Sequence, residues 1–549
     1  MAITTRVETT RAEAGRVGLP ALSSACAAVL VALSAGVRAQ LVQAPQAQTQ
    51  PALAATAQAW RFEPAVRATA VTTDNVGLSP TNARADTVTV TTPSLRVIGR
   101  GPGYEVTGTV AADGLVYLGR SLADRIFPQV GLAARSQLVD RLLYLDGDLS
   151  ARTTASDAFG PIGDGATTLN RSQVMRASVS PRIERELSPS TRFSLRSDHA
   201  WSRGFGSQAT STSNDAYVEG QAGIFEVRPA PMGLRVTGDR QYTSYRQQDG
   251  NDVEFRTGRA ALLYTANQEA VWGLIVGRDE GDYTTNSVSD TLTGVSLRWA
   301  PSPRTLLDMT AEKRFFGNGW NVTLSHRSPF VAISGNLQRT VSTYASRLGL
   351  LTAGSDVASL LDAMLTTRVS DAAQRAQLVQ DIMARRGLPA TLATALDLFS
   401  GGAQVSQGGT ISLGWMTPRD VITAQFYAQR LRDLRGPNDV ILVSADSRQR
   451  GLSLGLSHRL TMNLTADAGM AHSRVHGEGP NLGRDSVNTT WRVGVTEVLS
   501  PRTTATASLR RQVVRTNAPG GTALDGSTFA ASSSNANANS LSVGVLHRF

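Results

Sequence analysis

Residues 540–549 read SLSVGVLHRF. Leu541, Val543, Val545, His547 and Phe549 fall on one parity, and Ser542, Gly544, Leu546 and Arg548 on the other. A period of two describes a β-strand with two unlike faces. Chain ends are ordinarily loose and polar. An alternating strand that runs to a phenylalanine therefore needs an apolar surface to lie against, either a soluble core or a lipid bilayer.

The same alternation recurs from Trp60 onward. In GYEVTGTVAADGLVYL (103–118), Tyr104, Val106, Gly108, Val110, Val116 and Leu118 oppose Glu105, Thr107, Thr109 and Asp113. In RFSLRSDHAW (192–201), Phe193, Leu195, His199 and Trp201 oppose Arg192, Arg196 and Asp198. In WNVTLSHR (320–327), Trp320, Val322, Leu324 and His326 oppose Asn321, Thr323, Ser325 and Arg327. Each segment is about ten residues long, the length a tilted strand needs to cross a bilayer. The second face, rich in Thr, Ser, Gly, Arg and Asp, is too polar for a sandwich core and suits a wet lumen.

Composition narrows the classes. Of 549 residues, 18% are charged and 6% aromatic, and mean hydropathy is −0.14, which fits neither a disordered chain nor a bundle of membrane helices. The formal charge is +10, and Lys313 is the only lysine, so the basic charge is arginine. No segment concentrates it, and no nucleic-acid partner is expected. At the N-terminus, Arg6, Arg11 and Arg16 precede the apolar run ALSSACAAVLVALSAGV, with Val37 and Ala39 at the small positions of a cleavage site. Residues 1–39 read as a signal peptide, with an uncleaved anchor as the alternative. Cys26, the single cysteine, would leave with it, so neither disulfides nor thiolate metal sites are expected. Residues 40–59, rich in Gln, Ala and Pro, read as a flexible periplasmic lead-in. No later run of about 18 apolar residues exists. A closed barrel is then the remaining way to span a membrane, because lipid forbids unpaired backbone groups.

Short turns such as GPG, RPAPMG, APSPRT, MTPRD and LSPRT alternate with longer polar loops such as TDNVGLSPTNARAD and HGEGPNLGRDS. This is the pattern of short periplasmic turns opposite long outer loops. The reading is an all-β, antiparallel up-and-down transmembrane barrel over residues 60–549, located in the cell outer membrane. It has about 22 strands, within a range of 18 to 24. An even count returns both ends to the periplasm and sets His326, His458 and His547 outward near the inner rim. One stretch, 348–405, departs from period two. Val357, Leu360, Leu361, Met364 and Leu365 follow helical spacing, Ser355 and Ser370 are N-cap candidates, and Gly387 with Pro389 marks a stop. This helical insert starts on the outer side and is either an outer loop or a plug.

Three stretches carry a family resemblance: TTDNVGLSP (72–80), WAPSPRTLLDMTAEKRFFGNGWNVTLSHRSP (299–329) and EVLSPRTTATASL (497–509). The middle one is the most specific. The chain resembles the PEP-CTERM system-associated outer-membrane proteins over most of its length from Trp60. The terminal Phe549 likewise resembles the signal read by the barrel assembly machinery, with His547 where an aromatic residue is usual. The resemblance implies a setting near exosortase-type sorting and exopolysaccharide synthesis, and hence an exopolysaccharide and its export proteins as partners. Its motifs are structural and none is catalytic.

No enzyme is expected. Asp198 adjoins His199 but faces the other side of the strand. His472 and His476 share a face about 13 Å apart, too far to chelate one metal. No cofactor or metal is implied. The candidate lumen-lining residues are Arg176, Arg182, Arg192, Arg196, Asp198, Asp308, Glu312, Arg327, Arg459, Asp467, Arg492 and Arg510. Guanidinium forks suit carboxylate and phosphate groups, and rings of charge set ion preference. The same residues also read as an arginine–acid ladder that braces a wide barrel. Two functions follow: a channel or secretion component linked to exopolysaccharide export, or a general diffusion porin of the 16-strand trimeric type.

Overall fold

The computed structural model describes residues 60–549 apart from 156, 161–162, 164–169, 206–214, 247–251, 284–285, 349–356, 367, 390–391, 393–394, 397–399, 401, 435–443, 519–520, 523–527 and 530–531. The expected leader and lead-in, residues 1–59, lie outside the described residues. Twenty-two strands form one antiparallel sheet in which each strand pairs with its sequence neighbours. The first strand, Trp60–Thr73, also pairs with the last, Ser532–Arg548, from Ala65↔Arg548 to Thr73↔Ser540. The sheet is therefore a closed barrel with no free edge, the form in which β-structure spans lipid.

The strands run from 10 residues, Thr305–Arg314, to 18, Arg171–Ser188. Most are longer than the ten residues that cross a bilayer, so the wall extends beyond the hydrocarbon. At the rim that holds Trp60 and Phe549, every connection is two to four residues long. The other rim carries the long connections, including residues 344–402 between Thr343 and Ala403. Two connections there are short, between Tyr283 and Asn286 and between Arg314 and Gly317. The second is the Phe315–Phe316 pair. Phe315 stacks on Phe255 and Tyr283 at ring separations of 6.2 and 6.4 Å, so apolar packing on the wall holds this tight turn.

Alternation sorts the wall into two faces. Leu262, Trp272, Leu274, Val276, Leu454, Leu456, Val493, Leu509, Leu541 and Val543 are exposed on the outer face. Toward the short-turn rim this belt is edged by Trp60, Phe62, Tyr264, Trp272, Trp299, Trp415 and Phe549, an aromatic girdle. The belt, the girdle and the closed 22-strand ring place the protein in the cell outer membrane. His326, His458 and His547 lie at the same level and bond to Thr305, Asp420 and Thr503. Phe549 donates its backbone N–H to Pro64 O at 3.0 Å across the seam.

The inner face is less uniformly polar than alternation suggests. Val88, Leu115, Tyr117 and Phe127 form a buried cluster inside, near the long-loop rim. Depth within the bilayer sets the cost of a charge on the outer face. Leu454→Arg, at the middle of the belt, is expected to destabilise the barrel by ~2–4 kcal/mol. Thr107→Arg on the inner face is expected to stay within about 0.5 kcal/mol. Urea unfolding in detergent micelles distinguishes the two.

Candidate functional site: a lumen crossed by its own insert

The insert begins with a short helix, α1 (Tyr344–Arg347), fixed by a capping box between Thr343 and Ser346. Its end reaches the opposite wall. Leu348 packs with Val174, and Arg152 Nη2 donates to Leu348 O at 2.5 Å. Val174 and Arg152 belong to strands nine and ten places away round the ring of twenty-two. Ala345 packs with Ala216 and Tyr245, and the hydroxyls of Thr243 and Thr343 meet at 3.0 Å. The chain thus spans the lumen at its outer end.

Helix α2 (Val357–Leu365) buries Val357, Leu360, Leu361, Met364 and Leu365, the spacing the sequence shows. These side chains pack on Ala332, Met416 and Val421 of the inner wall and on Val379, Ile382 and Met383 of the next helix, α3 (Ala372–Arg385). An ion pair, Arg375–Asp362 at 2.6 Å, ties the two helices. The N-cap of α3 is Asp371 rather than Ser370: its carboxylate accepts from the N–H of Gln374 at 2.9 Å, three residues on. The other cap candidate, Ser355, lies outside the described residues. Gly387 takes φ +60°, and the N–H of Leu388 bonds to Met383 O at 3.1 Å, a Schellman end at the glycine where the sequence places a stop.

The end of α3 sits at the short-turn rim, inside the barrel. Arg386 donates to Pro418 O and Arg419 O at 3.1 and 3.3 Å. The hydroxyls of Ser457 and Thr465 donate to Arg386 O and Arg385 O, and Arg548 pairs with Asp381 at 3.5 Å. Burial, and then the like charge of Arg459, push the Arg386 guanidinium below its ordinary value, although it stays protonated. A side chain at Gly387 would meet Thr496 Oγ1 at 2.5 Å. Gly387→Val combines that clash with a left-handed backbone costing ~1–2 kcal/mol. The variant is expected to raise trypsin cleavage within the insert roughly ten-fold, read by limited proteolysis of folded protein.

All twelve candidate lumen residues lie on the inner face. Arg176 pairs with Asp148 at 3.4 Å, Arg182 with Glu184 at 2.8 Å, Arg192 with Glu226 at 2.9 Å and Arg196 with Asp198 at 2.7 Å. Asp198 also accepts from Ser180 at 2.5 Å. Glu312 holds Arg259 at 2.8 Å, and Asp467 holds Arg492 at 3.5 Å beside Gly387. Asp308 stands opposite Arg298 in register, and Arg510 opposite Arg492. Arg327 donates to Pro303 O at 3.5 Å, and Arg459 lies exposed at the short-turn rim near Arg386. The arginine–acid ladder is therefore real, and it runs mainly along the strands between Leu143 and Arg314. Helices α2 and α3 pack mainly on the strands between Val331 and Ser500, whereas α1 and Leu348 reach the strands between Leu143 and Tyr245.

Within the ladder wall, a cavity of about 330 Å³ is lined by Arg235, Arg259, Glu312, Arg314, Thr310 and Gln338. Arg235, Arg259 and Arg314 are absent from the sequence-based set, although parity assigns them inward, Arg235 lying between the belt residues Leu234 and Val236. Each guanidinium is already ion-paired, Arg235 with Glu226, Arg259 with Glu312 and Arg314 with Asp279, and Arg235, the most exposed of the three, can still reach a carboxylate, phosphate or sugar hydroxyl. The histidines on the strands bond to neighbouring polar side chains. His199 Nε2 meets Ser197 Oγ at 3.0 Å, but its Nδ1 faces the Tyr217 hydroxyl at 2.8 Å and no carboxylate. His472 bonds Thr489 and His476 bonds Asp485. Among the described residues no group of His, Cys, Asp and Glu could hold a metal.

No family model and no curated protein matches the chain. Solved structures similar to it include the FrpB iron transporter from Neisseria meningitidis, F5-1 variant, at 9% identity, TM-score 0.41 and 89% of this chain over 82% of that one. BauA, the ferric preacinetobactin receptor from Acinetobacter baumannii, aligns at 10% identity, TM-score 0.42 and 88% over 80%. The siderophore receptor PirA from Acinetobacter baumannii aligns at 9% identity, TM-score 0.39 and 89% over 80%.

Proposed function

We propose that this barrel is a conduit of the outer membrane for an extracellular polysaccharide, or for a component handled with it, and that its own insert keeps it shut. The observation that carries the reading is the anchoring of the insert's described residues at both ends of the lumen, Leu348 on the far wall at the outer end and Arg386 at the short-turn rim. A shut barrel needs a cargo or partner to open it, which suits a secretion component better than a sieve. The arginine-lined cavity supports a cargo bearing carboxylate or sulfate groups among hydroxyls. The middle stretch, with its resemblance to the PEP-CTERM-associated proteins, supports a setting beside exopolysaccharide export.

The diffusion-porin alternative fits less well. Its 16-strand ring is not the one found, and free diffusion needs an open bore. The reading is tested by deleting the gene and weighing surface polysaccharide. Loss of polymer from the surface, with polymer or its precursors retained in the periplasm, is the expected result. Complementation by Arg235→Gln, which leaves Glu226 paired with Arg192, is expected to be partial. Unchanged surface polymer and unchanged sorted surface proteins would remove the export role.

A further inference from the structure

The outer face carries a second charge pattern, above the apolar belt on the long-loop side. Two quadrants differ at that height. Between Ala216 and Tyr283, outward arginines are matched by acids: Arg240 pairs with Glu254 and Glu219, Arg256 with Glu254 and Arg278 with Glu280. Between Asp420 and Ala518 the balance fails. There Arg430 and Arg448 face each other across neighbouring strands, and Glu478 holds both, at 2.6 and 3.5 Å. One step nearer the belt, Arg450 and Arg474 face each other in the same way. Neither has an ion pair or side-chain hydrogen bond among the described residues, and both are exposed. Arg474 is opposite Val487, and Val487 opposite Arg515, so a third exposed guanidinium lies on the same level. Arg511 lies below, opposite the exposed Trp491.

Like charges directly opposite on a sheet destabilise it. The upper arginine pair is relieved by Glu478, but among the described residues no carboxylate pairs with the lower one. Arg450 stands two residues above Leu452, the first belt residue of its strand, which is about 7 Å along the strand. The pair thus stands just above the apolar belt, on its long-loop side.

We propose that Arg450, Arg474 and Arg515 form a binding site for a phosphorylated glycolipid of the outer leaflet. A headgroup phosphate takes the place that Glu478 fills one step higher, and the acyl chains lie along Leu452, Leu454, Trp491 and Val493. Guanidinium forks bind phosphate in bidentate fashion, and a low-dielectric belt below strengthens the contact. The lipid neutralises the arginine row and seals this quadrant of the wall against the membrane.

The test uses the full-length barrel in nanodiscs, with a synthetic acylated diglucosamine bisphosphate as the probe. Wild type is expected to retain the lipid through detergent exchange, as read by native mass spectrometry. Arg450→Gln/Arg474→Gln is expected to lower retention at least ten-fold, whereas Arg240→Gln/Arg256→Gln in the balanced quadrant leaves it unchanged. Heat-modifiable migration in gels establishes that each variant is folded. Equal retention by wild type and Arg450→Gln/Arg474→Gln would overturn the site, as would equal losses in both double variants. If the dephosphorylated lipid is retained as well as the bisphosphate, or if millimolar inorganic phosphate displaces the lipid, the assignment to a phosphorylated lipid fails.

Discussion

Replacing residues 344–402 by a two-residue glycine-rich turn is expected to turn a nearly non-conducting barrel into a wide, ohmic pore. The geometry favours a clean deletion. Thr343 and Ala403 are direct cross-strand partners, so the turn joins two ends already in hairpin position. Every wall ladder survives, because the described residues of the insert contribute no strand to it. What disappears is the span from Leu348 to the far wall and the seat of α3 at the short-turn rim. A ring of 22 strands is wide enough to enclose an aqueous bore when nothing fills it, and conductance is expected to rise roughly ten-fold or more. Planar-bilayer recording reads the change, and sensitivity of cells to bulky hydrophilic antibiotics gives a second readout. A deletion variant that folds and stays silent would show that something other than the insert closes the lumen.

Asp279→Ala is expected to give the largest loss of stability among single substitutions in the wall. Asp279 is fully buried. It accepts from Arg314 Nε and Nη2 at 2.9 and 2.7 Å and from Thr257 Oγ1 at 2.9 Å. Arg314 itself is 12% exposed and lies over the Phe316 ring. Truncating the acid leaves a guanidinium charge without its carboxylate in a site from which water is largely excluded, at a cost of ~3–5 kcal/mol. The double variant Asp279→Leu/Arg314→Met removes both charges and is expected to recover most of that loss. Urea titration of the folded form in micelles checks both. A drop below about 1 kcal/mol in the single variant would mean that water reaches Arg314.

The wall was legible because a bilayer imposes a simple rule on it. Leu452, Leu454 and Leu456 against Ser453, Gly455 and Ser457 cannot be arranged otherwise once one side is hydrocarbon. Strand ends were less legible, since beyond the hydrocarbon the rule lapses: Arg448 and Arg450 share the parity of Leu452 yet carry charge. The same parity that places Arg192 and Arg196 inward also places Arg235, Arg259 and Arg314 there, so these three are equally legible from alternation. The helices of the insert were readable from the spacing of Val357 to Leu365, but their location was not. A helix with one apolar stripe looks the same whether that stripe meets a partner helix over the mouth or Met416 and Val421 inside. Only the long-range contacts of Leu348, Arg386 and Gly387 distinguish those cases, and nothing local in the sequence encodes them.

The seam between residues 65–73 and 540–548 also bears on how the molecule is made. Neighbouring hairpins zip up over short stretches of chain, but this last join links segments separated by almost the entire polypeptide. Its contact order is near the maximum a chain can have, so loop-closure entropy delays it to the final step. Until then two strand edges stay open, sticky toward any other extended chain. Sealing therefore waits for synthesis and export of the final nine paired residues. A nascent barrel arrested short of Ser540 is expected to need a protein that covers both edges while it waits.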